Sequence, residues 1–367
     1  AGLSGVGVGR YLRTEHPQRT FAIFEARAVA GGTWDLFRYP GVRSDSDLHT
    51  LGYEFNPWRE KESIASAPRI LAYLRRTATE CGLDGRIRYQ HKVVAADWSS
   101  LEGRWQVDVE RVDTGERLRV TASWIFCAGG YFRYEEAYVP QFAGRERFLG
   151  TIVHPQAWPE NLDYAGKRVV VIGSGSTAVT LAPAMADQVE HLTMLQRTPS
   201  YVVPVQSKDA VALWFRRLLG VERGSALTRR KNIAVQQTTW RFCRRFPEAA
   251  RMLIRMVNLR HLPEGYPVDE HFNPPYNPWD QRLCVDPDGD LFKAIGTERA
   301  SVVTDRIQTF TESGILLESG RRLEADIIVT ATGLNLQLLG GMQLSVNGRP
   351  IKPSETVVYR GMMLSGI

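Results

Sequence analysis

The stretch "KRVVVIGSGSTAVTLAPAMAD", residues 167–187, constrains the fold more than any other part of the chain. Val169, Val170, Val171 and Ile172 run directly into Gly173-Ser174-Gly175-Ser176-Thr177-Ala178, and an apolar helical pattern follows through Met185. Strand, glycine turn and helix in immediate succession open a dinucleotide-binding βαβ unit. The glycines let backbone N–H groups approach a pyrophosphate at the helix N-terminus, where the dipole favours an anion. The next strand, "VEHLTML", leads into Gln196-Arg197-Thr198, placing a cation and a hydroxyl where such folds meet the ribose. That pair suits the 2′-phosphate of NADPH better than NADH. Candidate NADP-binding residues are therefore Gly173, Ser174, Gly175, Ser176, Thr177, Ala178, Val179, Arg197 and Thr198.

A partial copy of the pattern opens the chain. In "AGLSGVGVGRYL", Gly2 and Gly5 precede an apolar run, and Glu25 closes the stretch "FAIFE". Residues 6–16 read as a helix and 20–25 as a strand. Gly2 and Gly5 occupy the second and third glycine places of G-x-G-x-x-G, and Glu25 stands where an acid holds a ribose hydroxyl, as in FAD and NAD sites alike. Gly2, Ser4, Gly5 and Glu25 are thus FAD candidates. Either turn by itself would also serve mere strand–helix packing; two with opposite ribose chemistry favour two nucleotides. The first strand and first glycine are missing, so the chain is expected to be an internal fragment of a longer protein.

The 367 residues have room for two domains. The pattern predicts an FAD-binding domain over 1–150, an NADPH-binding domain over 151–325 with a helical insertion at about 205–275, and an incomplete return to the first domain over 326–367, led by the strand in "ADIIVTATGLN". Hydrophobic residues make up 43% of the chain and charged ones 23%, yet no apolar run nears the roughly 18 residues of a membrane span and no leader pattern is visible. A cytoplasmic location follows from that reading.

The net charge of +6 is a property of one segment, because residues 205–262 hold thirteen Lys/Arg against three acids. Met252, Leu253, Met256 and Leu259 share one helical face there, and Arg251 and Arg255 another. Trp214, Phe215, Leu218 and Leu219 stand beside Arg216 and Arg217, which leaves two readings: a solvated helical face, or a peripheral contact with a membrane. Nothing in the pattern signals nucleic-acid binding. The cysteines (Cys81, Cys127, Cys243, Cys284) are scattered and read as reduced, mostly buried thiols, and the seven histidines form no ligand cluster, so no metal is expected.

Two longer motifs select the chemistry. "GGTWDLFRYPGVRSD" (Gly31 to Asp45) has the form G-G-x-W-x4-[FY]-P-G-x3-D, and "FLGTIVHPQAWP" (Phe148 to Pro159) has the form F-x-G-x3-H-x3-W-P. Together they resemble the paired signatures of class B flavin-dependent monooxygenases of the Baeyer–Villiger type. "RSDSDLHTLGYEFNPW", "YNPWDQRLCVDPDGDLFKAI" and "TATGLNLQLLGGM" are similar to the ethionamide-activating, FAD-containing branch, and the resemblance runs along the whole chain.

The resemblance implies an α/β fold with two Rossmann-like dinucleotide-binding domains, for FAD and NADPH, the second with a helical insertion. It implies an NADPH- and O2-dependent conversion of ketones to esters or lactones through a C4a-peroxyflavin, with thioethers or thioamides as further substrates. An S- or N-oxygenating flavin monooxygenase, or a nucleotide-binding fragment without turnover, are the alternatives; oligomeric state is not legible.

By the same resemblance Arg282, in "NPWDQRL", is the catalytic arginine, a fixed cation for an anionic oxidant. Asp45 is the acid that positions it and a neighbour of the FAD. A surface pair of Arg282 with Asp280 or Asp286, and a turn-capping role for Asp45 beside Ser44 and Ser46, are the plainer readings. Thr33, Trp34, Asp35 and Leu36 are expected to border the flavin, Val93 the adenine end, and Arg43 and Ser44 the NADP; a core aromatic is the plainer reading of Trp34 and Trp158, with the flavin favoured for Trp34, and most valines in strands like that of Val93 are core. His154 belongs to an interdomain linker and carries no proton transfer. Gln281 stands where several relatives carry a lysine, which shifts phosphate binding toward Arg197.

Overall fold

The computed structural model describes residues 1–281, 283–361 and 363–365. Its contacts divide the chain into two units: Ala1–Leu36, Ile70–Glu136 and the residues from Leu334 onward form the first, Phe37–Arg69 and Ala137–Gly333 the second.

The second unit is built on a five-stranded, all-parallel sheet of β1 (Thr151–Val153), β2 (Arg168–Ile172), β3 (His191–Gln196), β4 (Ala300–Thr304) and β5 (Ile327–Thr330), in the order β4-β3-β2-β5-β1. Parallel strands covered on both faces read as continuous apolar runs. Val169 through Ile172 and all of β5 are accordingly buried. One helix, Ser176–Ala186, follows β2 and buries Ala178, Val179, Leu181 and Ala182 against the sheet. Each such Val or Leu side chain contributes about 1.5–3 kcal/mol. β5 was expected to begin the return to the first domain. It is instead an inner strand of this sheet, paired in parallel with β1 on one edge and β2 on the other; the return starts at Leu334. Residues 37–69, inside the range expected for the first domain, also belong to the second unit.

The helical insertion consists mainly of Ala210–Arg245, capped by the Asp209 carboxylate accepting from the Ala212 N–H (2.9 Å), and Pro247–His261, with proline in its first turn. Gly220 interrupts the former with φ 76° and ψ 175°.

In the first unit, helix Leu3–Glu15 begins immediately after Gly2, and strand Ile23–Phe24 pairs in parallel with Ile87–Arg88. Gly9, one turn beyond Gly5, permits close packing: a Cβ there would lie 2.9 Å from Ile23 Cδ1. A five-stranded sheet places Gln343–Val346 beside His91–Ser99, followed by Arg104–Arg111 and Arg117–Ala122. Among the described residues no helix is long and apolar enough to cross a membrane, and no cluster of side chains is able to hold a metal ion. All four cysteines are free; Cys243 and Cys284 are buried, Cys81 is half-buried and Cys127 is exposed.

Candidate functional site

In the first unit two glycine segments meet. Gly2 is the extended N-cap of the first helix, and Gly32, at φ 54°, lies so close that a Cβ on it would be 3.3 Å from Gly2 Cα. Gly31, at φ 142°, has room for no side chain, since a Cβ would sit 2.3 Å from Leu71 Cδ1. The result is a cradle of bare backbone at a helix N-terminus, the form a pyrophosphate requires. Ser4 is exposed in the first turn and Gly5 is buried. Glu25 follows the strand Ile23–Phe24, and its carboxylate accepts from the Arg27 N–H at 3.0 Å.

Around the cradle, Thr33 Oγ1 hydrogen-bonds the Tyr134 hydroxyl at 3.1 Å, and burial raises the Tyr134 pKa. Trp34 and Leu36 are half-buried. Asp35 is buried with both carboxylate oxygens engaged, one by Arg27 and the other by Arg75 Nη2 at 2.9 Å. Its side chain therefore fixes the loop rather than facing a ligand freely. Val93 packs half-buried on the sheet core next to a register shift that interrupts the ladder between Val93 and Ala95.

In the second unit the glycine turn is complete. Gly173 adopts φ 136°, and a Cβ there would lie 2.3 Å from the Ala331 carbonyl oxygen. Gly175 caps the helix that starts at Ser176. Ser174 Oγ hydrogen-bonds Ser200 Oγ at 2.9 Å and donates to the Thr198 carbonyl at 3.3 Å. Cys284 Sγ lies 3.7 Å from the Ser174 carbonyl oxygen, and Ser176 Oγ lies 3.9 Å from Sγ. The side chains of Ala178 and Val179 are wholly in the core, so only their backbone is available to a ligand. Arg197 is exposed and Thr198 half-buried at the end of β3.

The second half of the Gly31–Asp45 motif docks on this turn. Gly41, at φ 76°, would drive a Cβ to 2.8 Å from the Thr180 carbonyl oxygen, so the loop lies directly on the helix. The buried Tyr39 accepts a hydrogen bond from Thr177, and Asp45 accepts one from Ser176. Burial raises the Asp45 pKa, against the opposing pull of Ser176 and Arg43. The capping role considered for Asp45 falls to its neighbours: Ser44 Oγ donates to the Ser46 carbonyl at 2.6 Å, and Asp47 accepts from the Thr50 N–H at 3.0 Å. Arg43 has two buried guanidinium nitrogens, Nε and Nη2, with no hydrogen-bond partner among the described residues. A buried cation with unsatisfied donors beside an anion-binding turn fits a nucleotide phosphate.

Arg282 lies outside the described residues. The chain around it is held firmly: Leu283–Pro287 pairs in parallel with Tyr201–Val205, Asp280 pairs with Arg244, and Trp279 donates to Cys243. Asp286, fully buried, accepts from the N–H groups of Leu291 (3.0 Å) and Phe292 (3.4 Å), and burial pushes its pKa up to about 6. His154 Nδ1 accepts from the Gln156 N–H at 3.1 Å, and burial lowers its pKa, which keeps the ring neutral. Trp158 lines a cavity of about 550 Å³ together with Arg38 and Pro40, joining the two long motifs.

Sequence reasoning missed Tyr39, Ser200 and Cys284 at the second turn and Tyr134 and Arg75 at the first. Tyr39 was signalled by its place in the motif. The others lie 26 to 110 residues from their partners, a separation that only the fold closes.

Two Rossmann-type dinucleotide turns, one followed by a strand ending at an acid and one by a strand ending at an arginine, are the pattern of a flavoprotein that also takes a nicotinamide nucleotide. Residues 60–241 match the flavin-binding monooxygenase-like family. The FAD-containing monooxygenase EthA of Mycobacterium tuberculosis is 50% identical over 368 residues, covering 100% of this chain and 75% of the relative. An NADP-bound steroid monooxygenase superposes with a TM-score of 0.76 at 26% identity over 95% of this chain and 73% of its own, and an ε-caprolactone-bound cyclohexanone monooxygenase with 0.74 at 25% over 94% and 74%. The chain belongs to the FAD-containing monooxygenases. It is an NADPH- and O2-dependent flavin monooxygenase with the α/β architecture of the Baeyer–Villiger enzymes.

Proposed function

We propose that this monooxygenase inserts oxygen next to the carbonyl of small ketones, giving esters or lactones, and also oxygenates thioethers or thioamides. Overall, ketone, O2, NADPH and a proton give ester, water and NADP+. The observation that carries the reading is the Asp45 carboxylate, partly desolvated, hydrogen-bonded to Ser176 on the nucleotide turn and acted on by the Arg43 charge.

Bound FAD supplies the redox centre at which hydride is accepted and dioxygen activated. Gly2, Ser4, Gly5 and Glu25 hold its pyrophosphate and ribose, Thr33, Trp34, Asp35 and Leu36 border the ring system, and Val93 meets the adenine end through its backbone. Gly173 to Val179 bind the NADP pyrophosphate, with Arg43, Ser44, Arg197 and Thr198 as its polar and phosphate partners. Arg282 provides the permanent cation at the reacting centre, and Asp45, also a neighbour of the FAD, orients it. In a site that excludes water one such cation stabilises developing negative charge far more than in bulk. The resemblance of the Gly31–Asp45 and Phe148–Pro159 motifs supports this division of labour.

The test compares an aliphatic ketone, an aryl ketone and a thioether as substrates of the wild type and of Arg282→Ala. Loss of ester formation in the variant supports the reading; unchanged ketone oxidation sinks it.

A further inference from the structure

We propose that the helical hairpin turned at Gly220 docks on an anionic lipid bilayer. Gly220 reverses the chain, and on the return arm Gly224 approaches so closely that a Cβ there would lie 2.7 Å from Arg216 Cα. Residues 217–223 form the bend, and all seven are exposed. Leu218 is 59% exposed, Leu219 44% and Val221 40%, with Trp214 one turn earlier at 57%.

Polar contacts hold the hairpin to the rest of the second unit and leave this apolar tip unused. Arg229 Nη1 donates to the carbonyls of His49, Thr50 and Gly52 at 2.9–3.1 Å. Asn232 and Gln236 donate to the Asp47 carboxylate at 2.8 and 2.9 Å, and Arg216 reaches the Trp58 carbonyl at 3.3 Å. Among the described residues, no side chain of 217–223 makes a hydrogen bond or ion pair in that attachment.

Charge decides the occupant. The segment 205–262 carries thirteen cations against three acids. At the tip Arg217 and Arg223 are exposed with one acid, Glu222, between them, and Arg230 is exposed two turns along the return arm; none of these arginines forms an ion pair among the described residues. A second copy of the chain would bring the same cations against each other across a two-fold interface. A lipid surface offers the complement: aliphatic side chains enter the acyl boundary, tryptophan sits at headgroup level, and arginines meet lipid phosphates.

The experiment sediments the FAD-loaded protein with vesicles of phosphatidylglycerol and phosphatidylcholine in equal parts, and with phosphatidylcholine alone. The protein should pellet with the anionic vesicles and stay in solution with the neutral ones. Leu218→Asp combined with Leu219→Asp should lower the pelleted fraction about tenfold, and Arg217→Gln with Arg223→Gln should lower it several-fold, at roughly unchanged NADPH-driven flavin reduction. Leu101→Asp, at a 96% exposed leucine in the other unit, should change nothing. The glutamine pair leaves the apolar tip intact and so reports binding even if the aspartate pair unfolds the hairpin. No pelleting with anionic vesicles, pelleting undiminished in both tip variants, or self-association abolished by them in place of vesicle binding would each overturn the proposal.

Discussion

The hydroxyl of Ser176, the first residue of the helix after the second glycine turn, donates to the carboxylate of Asp45, the last residue of the Gly31–Asp45 motif. Two segments 131 residues apart in sequence thus share one hydrogen bond at the nucleotide turn. Burial raises the Asp45 pKa, so its protonated form persists to higher pH than for an exposed carboxyl. Activity that needs the carboxylate therefore falls as pH drops through a value above the ordinary range. In Asp45→Asn this acid limb should disappear from the pH profile of kcat/KM for NADPH, with a loss of about a hundredfold at neutral pH from misplaced groups. A profile that keeps its acid limb would assign the titration elsewhere.

Two buried guanidinium nitrogens of Arg43, Nε and Nη2, have no hydrogen-bond partner among the described residues. Arg43→Leu should raise the Kd for NADP+ by about tenfold to a hundredfold, the worth of charge-assisted hydrogen bonds, while FAD affinity stays the same. Isothermal titration of the FAD-loaded variant with NADP+ checks it.

Asp286 gives a stability signature. Its folded pKa is about 6 against an ordinary 3.8, so between those values the folded state holds the proton that the unfolded state has released. Stability from this group is present at low pH and lost as pH rises across that window. Asp286→Asn still accepts from the Leu291 N–H and has nothing to ionise. Its stability relative to wild type should improve by about 2 kcal/mol between pH 4 and pH 7. Denaturant titrations at both pH values measure it.

At Gly173 the backbone sits at φ 136° with the Ala331 carbonyl oxygen where a Cβ would go. Gly173→Ala should cost about 3 kcal/mol in strain and displaced backbone, seen as a lower Tm, and should weaken NADP+ binding.

Both turns were legible because a glycine turn between an apolar strand and a helix is a local pattern. The places of Glu25 and Arg197 at strand ends were readable because one helix and one strand separate each from its turn. The division of the Gly31–Asp45 motif was not. Gly31 to Leu36 belong to one unit and Phe37 to Asp45 to the other, and what separates them is the docking of Tyr39 and Gly41 on the helix after Gly175, a contact between distant segments. Strand Ile327–Thr330 was visible as a buried run, but its partners were not, since pattern alone gives burial without naming the neighbours. The apolar face of Met252, Leu253, Met256 and Leu259 was readable as helical, and yet all four are exposed, because periodicity does not say whether anything covers a face.

The most direct measurement follows the oxygen. The FAD-loaded protein is supplied with NADPH, an aliphatic ketone and isotopically labelled dioxygen, and the product is analysed by mass spectrometry for wild type and Arg282→Ala. One labelled oxygen per ester in the wild type, with ester formation lost in the variant, is the predicted result. Ester without label, or labelled ester formed undiminished by Arg282→Ala, would contradict it.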